Sequence, residues 1–200
     1  MKLDKKIRLA REGDYDSILE IYAPFITDTV ITFEYEVPTK DEFAKRIKDI
    51  QIKYPWLICE VDGNVVGYAY ASKFNERSAY DWSVDFSIYI KQEFQGRKLG
   101  KALYFALLEV LKLQGYFNAY AGVTIPNLKS EGLHQSFGFK ETGTFHNAGF
   151  KFGDWYNVKW FELKIQEHTL KPLKPKTIAD VNNTKEFNEI IIRAQQILED

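Results

Sequence analysis

Asp85 lies in the run Trp82-Ser83-Val84-Asp85-Phe86-Ser87-Ile88-Tyr89-Ile90, a short distance before a turn rich in glycine and cations. Trp82, Val84, Phe86, Ile88 and Ile90 fall on one face of this run, and Ser83, Asp85, Ser87 and Tyr89 on the other. Such alternation predicts a half-buried strand with one acid on its polar face. The turn, Gln95-Gly96-Arg97-Lys98-Leu99-Gly100-Lys101, opens a segment with Leu99, Leu103, Ala106, Leu107, Val110 and Leu111 at helical spacing. Gly115 stands where a helix-ending glycine belongs. A strand, a basic turn and a helix start together aim backbone N–H groups and positive charge at one place, which suits a phosphate. A carboxylate that can take a proton precedes that anion site.

The elements that must position these residues follow from local patterns. Ile7-Arg8-Leu9-Ala10 reads as a first strand. Asp14 can cap a helix carrying Tyr15, Ile18, Leu19 and Tyr22, interrupted near Pro24. Thr27 to Val37 reads as a structured loop. Thr39 and Glu42 form a capping box that opens a second helix to about Gln51. Trp56 to Val61 and Val65 to Ser72 are predicted strands joined by Asp62-Gly63-Asn64. Phe117 to Thr124 is a further strand. Asn127 then caps a short helix bearing Leu128, Leu133, His134 and Phe137, ended by Gly138. Lys140 to Phe145 and Tyr156 to Ile165 complete the sheet. This order predicts a mixed α/β, or α+β, layered fold with helices covering a sheet.

The pattern fills residues 1–165. In 166–200, Lys171-Pro172-Leu173-Lys174-Pro175-Lys176 reads as an extended linker. An amphipathic helix over 184–200 follows, with Phe187, Ile190, Ile191, Ala194, Ile197 and Leu198 on one face. A lone helix of that length is marginal in water, so it must dock on its own domain, on a second copy, or on another partner.

Composition narrows the function classes. A formal net charge of −1 offers no general attraction to nucleic acid or an anionic membrane. The single cysteine, Cys59, rules out an internal disulfide and reads as a buried filler within a strand. His134, His146 and His168 have no metal-ligand spacing, so no metal is expected. No signal peptide or membrane-length apolar run is evident, which makes the cytoplasm the default location.

The turn resembles the acetyl-CoA signature of the GCN5-related N-acetyltransferases, Gln/Arg-x-x-Gly-x-Gly/Ala. Gln95 and Gly100 match, while Lys98 occupies the first glycine position. Longer words are similar to the phosphinothricin and methionine sulfoximine acetyltransferase branch. They are Thr32-Phe33-Glu34, Tyr54-Pro55-Trp56, Arg77-Ser78-Ala79-Tyr80-Asp81-Trp82, Pro126-Asn127 and Gly149-Phe150-Lys151-Phe152-Gly153-Asp154-Trp155. The resemblance covers roughly Ile7 to Leu163. It implies a mixed central sheet splayed between the 82–90 and 117–124 strands, with a cleft there for the pantetheine arm.

That resemblance implies roles residue by residue. The turn from Gln95 through Gly96, Arg97, Lys98, Leu99, Gly100 and Lys101 would hold the pyrophosphate. Lys98 suits that place if its backbone keeps φ negative. Backbone N–H groups of Ile88, Tyr89 and Ile90 would meet the pantetheine amides and the thioester oxygen. Asn127 and Ser130 would contact the CoA arm, Asn127 also serving as a helix cap. Asp85 stands where the family has a glutamate as general base, one methylene shorter, so it acts directly or through a water. The alternative is a strand acid paired with a nearby cation. His134 takes the place of a thiolate acid, or is structural. Phe33, Glu34, Arg77, Tyr80 and Lys151 match acceptor positions. Arg77 would grip a carboxylate or phosphinate, or form a surface ion pair. Glu34 would meet the amine or order its loop.

The expected activity is transfer of acetyl from acetyl-CoA to the α-amine of a small amino-acid analogue, by direct attack in a ternary complex. Phosphinothricin, methionine sulfoximine and methionine sulfone are the implied acceptors, with detoxification the implied role and a homodimer the implied assembly. The alternatives are an acetyltransferase for a polyamine or a protein N-terminus, and a non-catalytic acyl-CoA sensor.

Overall fold

The computed structural model describes residues 3–199. Its centre is one sheet of seven strands: β1 (Lys5–Leu9), β2 (Trp56–Val61), β3 (Asn64–Lys73), β4 (Ser83–Ile90), β5 (Asn118–Ile125), β6 (Lys140–Lys151) and β7 (Asp154–Lys164). The spatial order is β1-β2-β3-β4-β5-β7-β6, and every pairing is antiparallel except β4 with β5. Asp62 and Gly63 both take positive φ at the β2–β3 turn, the geometry that suits the right-handed twist of a tight hairpin.

Period-two alternation sends side chains to two separate cores. From β2, Leu57 and Cys59 pack toward α3 (Leu99–Gln114), while Trp56 and Ile58 pack toward α1 (Tyr15–Thr27) and α2 (Lys40–Gln51). On α3, Leu99, Leu103, Ala106, Leu107, Val110 and Leu111 are all buried, and Gly115 closes the helix in the left-handed conformation. The Thr39–Glu42 capping box forms at the start of α2. α4 (Leu128–Ser136) lies between β5 and β6 in the chain.

Two expectations are corrected. α1 is not interrupted at Pro24 but continues to Thr27. Proline removes a bond only to Glu20, an exposed residue whose carbonyl can turn to water, and the helix ends within one turn anyway. β6 extends past Phe145 to Lys151, because register shifts near Gly143 and between Phe145 and Gly149 absorb the residues that break its alternation.

The C-terminal segment docks on its own domain. α5 (Ile178–Val181), which the sequence reading missed, is opened by a Thr177–Asp180 capping box. α6 (Lys185–Glu199) buries Phe187, Ile190, Ala194 and Leu198 in the same core as α3. Lys5 Nζ donates to Leu198 O (2.6 Å), and the Arg193 guanidinium lies over the Phe105 ring (4.9 Å). The linker is pinned as well. Trp82 Nε1 donates to Leu173 O, and Gln114 Nε2 donates to both Lys53 O and Lys176 O. Among the described residues, no helix is long and apolar enough to cross a membrane.

Phe187 is 6% exposed and anchors the N-terminal end of α6. Truncating it should leave a cavity against α3 and cost about 3 kcal/mol. The expected result for Phe187→Ala is a lower urea midpoint with the slope unchanged. A midpoint equal to that of the native chain would mean that α6 adds nothing to the fold.

Candidate active site

The site begins where the sheet comes apart. β4 and β5 pair only through Ser83, Val84 and Asp85, although β4 continues to Ile90 and β5 to Ile125. The outer edges of both strands stay fully engaged, β4 with β3 and β5 with β7. Beyond Asp85 their facing edges therefore carry unpaired backbone groups, which are strong partners for an amide-bearing ligand. The resulting cleft is walled by Ser87, Ile88 and Tyr89 on one side and by Gly122, Val123 and Thr124 on the other. Asn127, Ser130, Tyr104 and His134 also line it.

The basic turn lies where β4 ends. Gly96 has φ +77° with open space around it, so conformation rather than crowding calls for glycine there. Gly100 sits in a tight place, since a Cβ would stand 3.3 Å from Ile90 Cδ1 and 3.4 Å from Leu133 Cδ2 and those side chains would have to shift. Lys98 has φ +63°, against the expectation of a negative value. As the N-terminal flank of α3 it takes the left-handed conformation, and the next residue is helical. That succession forms a concavity of N–H groups. Asn127 caps α4, accepting from Ser130 N (3.2 Å). The first turn of α4 is tied to the sheet by Glu131, which pairs with Lys159 of β7 (2.7 Å).

Asp85 stands at the base of the split, opposite Tyr120 of β5. Burial raises its pKa to about 6, opposed only by the Phe86 N–H. Among the described residues no cation pairs with it. His134 is 3% exposed, stacked on Phe161 and set edge-on to Phe139. Its Nδ1 lies 2.7 Å from Ser130 O and its Nε2 lies 2.7 Å from the Tyr104 hydroxyl. A carbonyl only accepts, so Nδ1 carries the proton and Nε2 accepts from Tyr104. Burial lowers the imidazole pKa and favours this neutral form. Both ring nitrogens are thus engaged, and Tyr104 stands beside His134 in the cleft wall. Sequence reading missed Tyr104 because its position on α3 reads simply as core.

The acceptor positions divide. Phe33 lies against Gly149, its ring occupying the place a Cβ would take. Arg77 is exposed at the start of a short 3-10 turn, and the neighbouring Glu76 is taken by Lys73 (2.8 Å). Tyr80 is edge-on to Phe74, which stacks on Tyr120 (4.2 Å) and meets Trp160. This aromatic run reaches the residue opposite Asp85. Phe74 follows β3, while Tyr120 and Trp160 lie on β5 and β7, so no local pattern could have singled them out.

Glu34 and Lys151 are already engaged within the chain. Glu34 Oε1 accepts from Arg46 (2.7 Å) and from the Tyr22 hydroxyl (3.1 Å), which orders the loop, the second of its two expected roles. Lys151 is corrected as an acceptor contact. Its side chain is 1% exposed, and Nζ donates to Ile26 O (2.7 Å) and Thr32 O (2.8 Å). A buried ammonium needs such acceptors, and these two carbonyls fasten the hairpin to the end of α1 and to the 28–39 loop.

A splayed mixed sheet, a glycine and lysine turn at the helix start and a half-buried strand acid together suit acyl transfer. The family model described as "Acetyltransferase (GNAT) domain" matches residues 7–160. The chain belongs to the GNAT acetyltransferase family and is an N-acetyltransferase. It is 34% identical over 172 residues to a phosphinothricin N-acetyltransferase of Streptomyces viridochromogenes, covering 84% of this chain and 94% of that relative. It is 30% identical to an L-methionine sulfoximine/L-methionine sulfone acetyltransferase of Salmonella typhimurium, covering 81% and 95%. A phosphinothricin acetyltransferase of Sinorhizobium meliloti, solved in complex with acetyl-CoA, superposes with a TM-score of 0.82 at 33% identity. That match covers 88% of this chain and 96% of that one.

The raised pKa of Asp85 has a consequence for stability. The folded chain holds this proton more tightly than the unfolded chain, so ionisation at neutral pH destabilises the fold. The penalty is absent below about pH 4, where both states are protonated, and complete above about pH 6. Asp85→Asn should therefore be more stable than the native chain at pH 8, by about 2–3 kcal/mol. The gain should shrink toward zero as pH falls to 4. Urea unfolding at the two pH values checks this, and a gain independent of pH would contradict the burial argument.

Proposed function

We propose that this chain transfers acetyl from acetyl-CoA to the α-amine of a small amino-acid analogue such as methionine sulfoximine, methionine sulfone or phosphinothricin. The observation that carries the reading is the separation of β4 from β5 directly beyond Asp85, which is half-buried and has no cation partner among the described residues. A pantetheine arm lying between the strands would offer its amides to the free edges, in the manner of an added strand. The pyrophosphate would rest on the 95–101 turn, with Asn127 and Ser130 beside the arm. The thioester oxygen would then meet N–H groups of Ile88 to Ile90, where negative charge develops as the amine attacks.

Asp85 takes the proton released as the ammonium becomes a nucleophile, directly or through one water. The new C–N bond forms as the C–S bond breaks, and the leaving thiolate takes its proton from the Tyr104 hydroxyl in the cleft wall, which water then reprotonates. His134 in its observed bonds has none to give at Nε2. Its role is to hold the Tyr104 hydroxyl in place at the wall of the cleft. On the acceptor side, Phe33 and the Phe74–Tyr80–Tyr120 aromatics would enclose the side chain, with Arg77 free to meet an anionic end.

The test is thiol release from acetyl-CoA across methionine sulfoximine, methionine sulfone, phosphinothricin, spermidine and a short peptide. Turnover of one of the first three, and not of spermidine, is the expected result. With that acceptor, kcat/KM should fall as pH drops through about 6. Asp85→Asn should lose at least about a hundredfold in kcat and lose that acidic limb. Turnover of spermidine or peptide alone would replace the acceptor assignment. An unchanged Asp85→Asn enzyme would remove the base.

A homodimer is the assembly this reading favours. Phe145, Phe150, Phe152 and Trp155 of the β6–β7 hairpin are exposed, as are Tyr35 and Val37 of the neighbouring loop. The Tyr35 hydroxyl donates to Phe150 O, which makes loop and hairpin one surface. A patch of this kind calls for a cover, and a second copy of the same patch provides one. Sedimentation should give a dimer at micromolar concentration and a monomer for Trp155→Asp. A native monomer throughout would exclude the arrangement.

A further inference from the structure

Lys129, in the first turn of α4, extends across the mouth of the cleft. Its Nζ donates to Gln95 Oε1 on the opposite wall (3.0 Å), and Gln95 Nε2 in turn donates to Ile90 O (3.3 Å). The bond bridges the end of β4 to the helix that follows β5, above the space where those strands are apart. Lys129 is exposed and Gln95 half-buried, so the bond is open to water. An ammonium on a neutral amide oxygen in water is held weakly, whereas an ammonium on a phosphate gains a charge-assisted bond. Gln95 opens the turn that carries Arg97, Lys98 and Lys101, so Lys129 brings a further cation to that place from the second wall.

Lys129 is also well supported for such a role. The Asn127 cap fixes the start of α4, and the Glu131–Lys159 pair holds its first turn against β7. The backbone that aims Lys129 is therefore rigid, while its side chain remains free to exchange partners.

We propose that Lys129 is a contact for the diphosphate of the thioester cosubstrate, giving up Gln95 Oε1 for a phosphoryl oxygen when the nucleotide seats on the turn. Binding would then draw both walls of the cleft onto one ligand. This inference rests on the acetyl-CoA reading above.

The test compares dissociation constants of the full chain for acetyl-CoA, its 3′-dephospho form and acetyl-pantetheine, with Lys129→Gln and Lys129→Arg beside the native protein. Lys129→Gln should weaken the first two ligands about tenfold and leave acetyl-pantetheine within twofold. Lys129→Arg should retain most of the affinity, since it keeps the charge. Equal affinities for native and Lys129→Gln would overturn the proposal. So would an equal loss for acetyl-pantetheine, because that marks a packing role. A loss confined to the fully phosphorylated ligand would overturn the diphosphate assignment. If the native chain binds none of the three, the cosubstrate reading fails and takes this inference with it.

Discussion

Everything in the site depends on three rungs of parallel pairing between β4 and β5. Each strand is held along its outer edge by an antiparallel neighbour, so neither can swing to recover the lost bonds. Underneath, α3 packs on the β2–β4 half of the sheet, and its core continues to residues of β5 and β7. A gap held open in this way keeps unsatisfied backbone groups in place, and such groups are favourable only when water or a ligand meets them. Asp85 is the last paired residue before the gap, which leaves it half-buried and adjacent to the cleft.

The remainder of the site is held by bonds that have no chemistry of their own. Lys151 ties the β6–β7 hairpin to α1 through the Ile26 carbonyl and to the 28–39 loop through the Thr32 carbonyl. Glu34 ties the same loop to α1 and α2 through Tyr22 and Arg46. Phe33 fills the space left by the missing side chain of Gly149. Three independent contacts thus order one loop that has no regular secondary structure, and the order comes before any ligand, as preorganised binding requires. A second group of contacts acts on α4, where Glu131 fixes the helix and His134 anchors Tyr104.

Stability and the proposed base role pull in opposite directions at Asp85, where a half-buried carboxyl has no cation partner among the described residues. The C-terminal segment works the other way. α6 covers α3 and engages β1, adding buried apolar surface outside the stretch matched by the family model.

Local pattern by itself determined most of the elements. Alternation marked β4, helical spacing marked α3 and α6, and capping residues located the starts of α2 and α4, because each signal lies within a few consecutive residues. The resemblance of short words implied the family and the turn. What only the tertiary structure decided are relations between distant residues. Lys151 reads as a free cation in the chain, and only the fold brings Ile26 and Thr32 carbonyls to it. His134 reads as an acid, and only the fold sets both of its nitrogens against partners. Lys98 reads as strained outside a negative φ, and only the turn it joins makes the left-handed conformation useful. Pairing that stops after three rungs leaves no mark in either strand's own pattern, because it is set by what the neighbouring strands and α3 hold on each side.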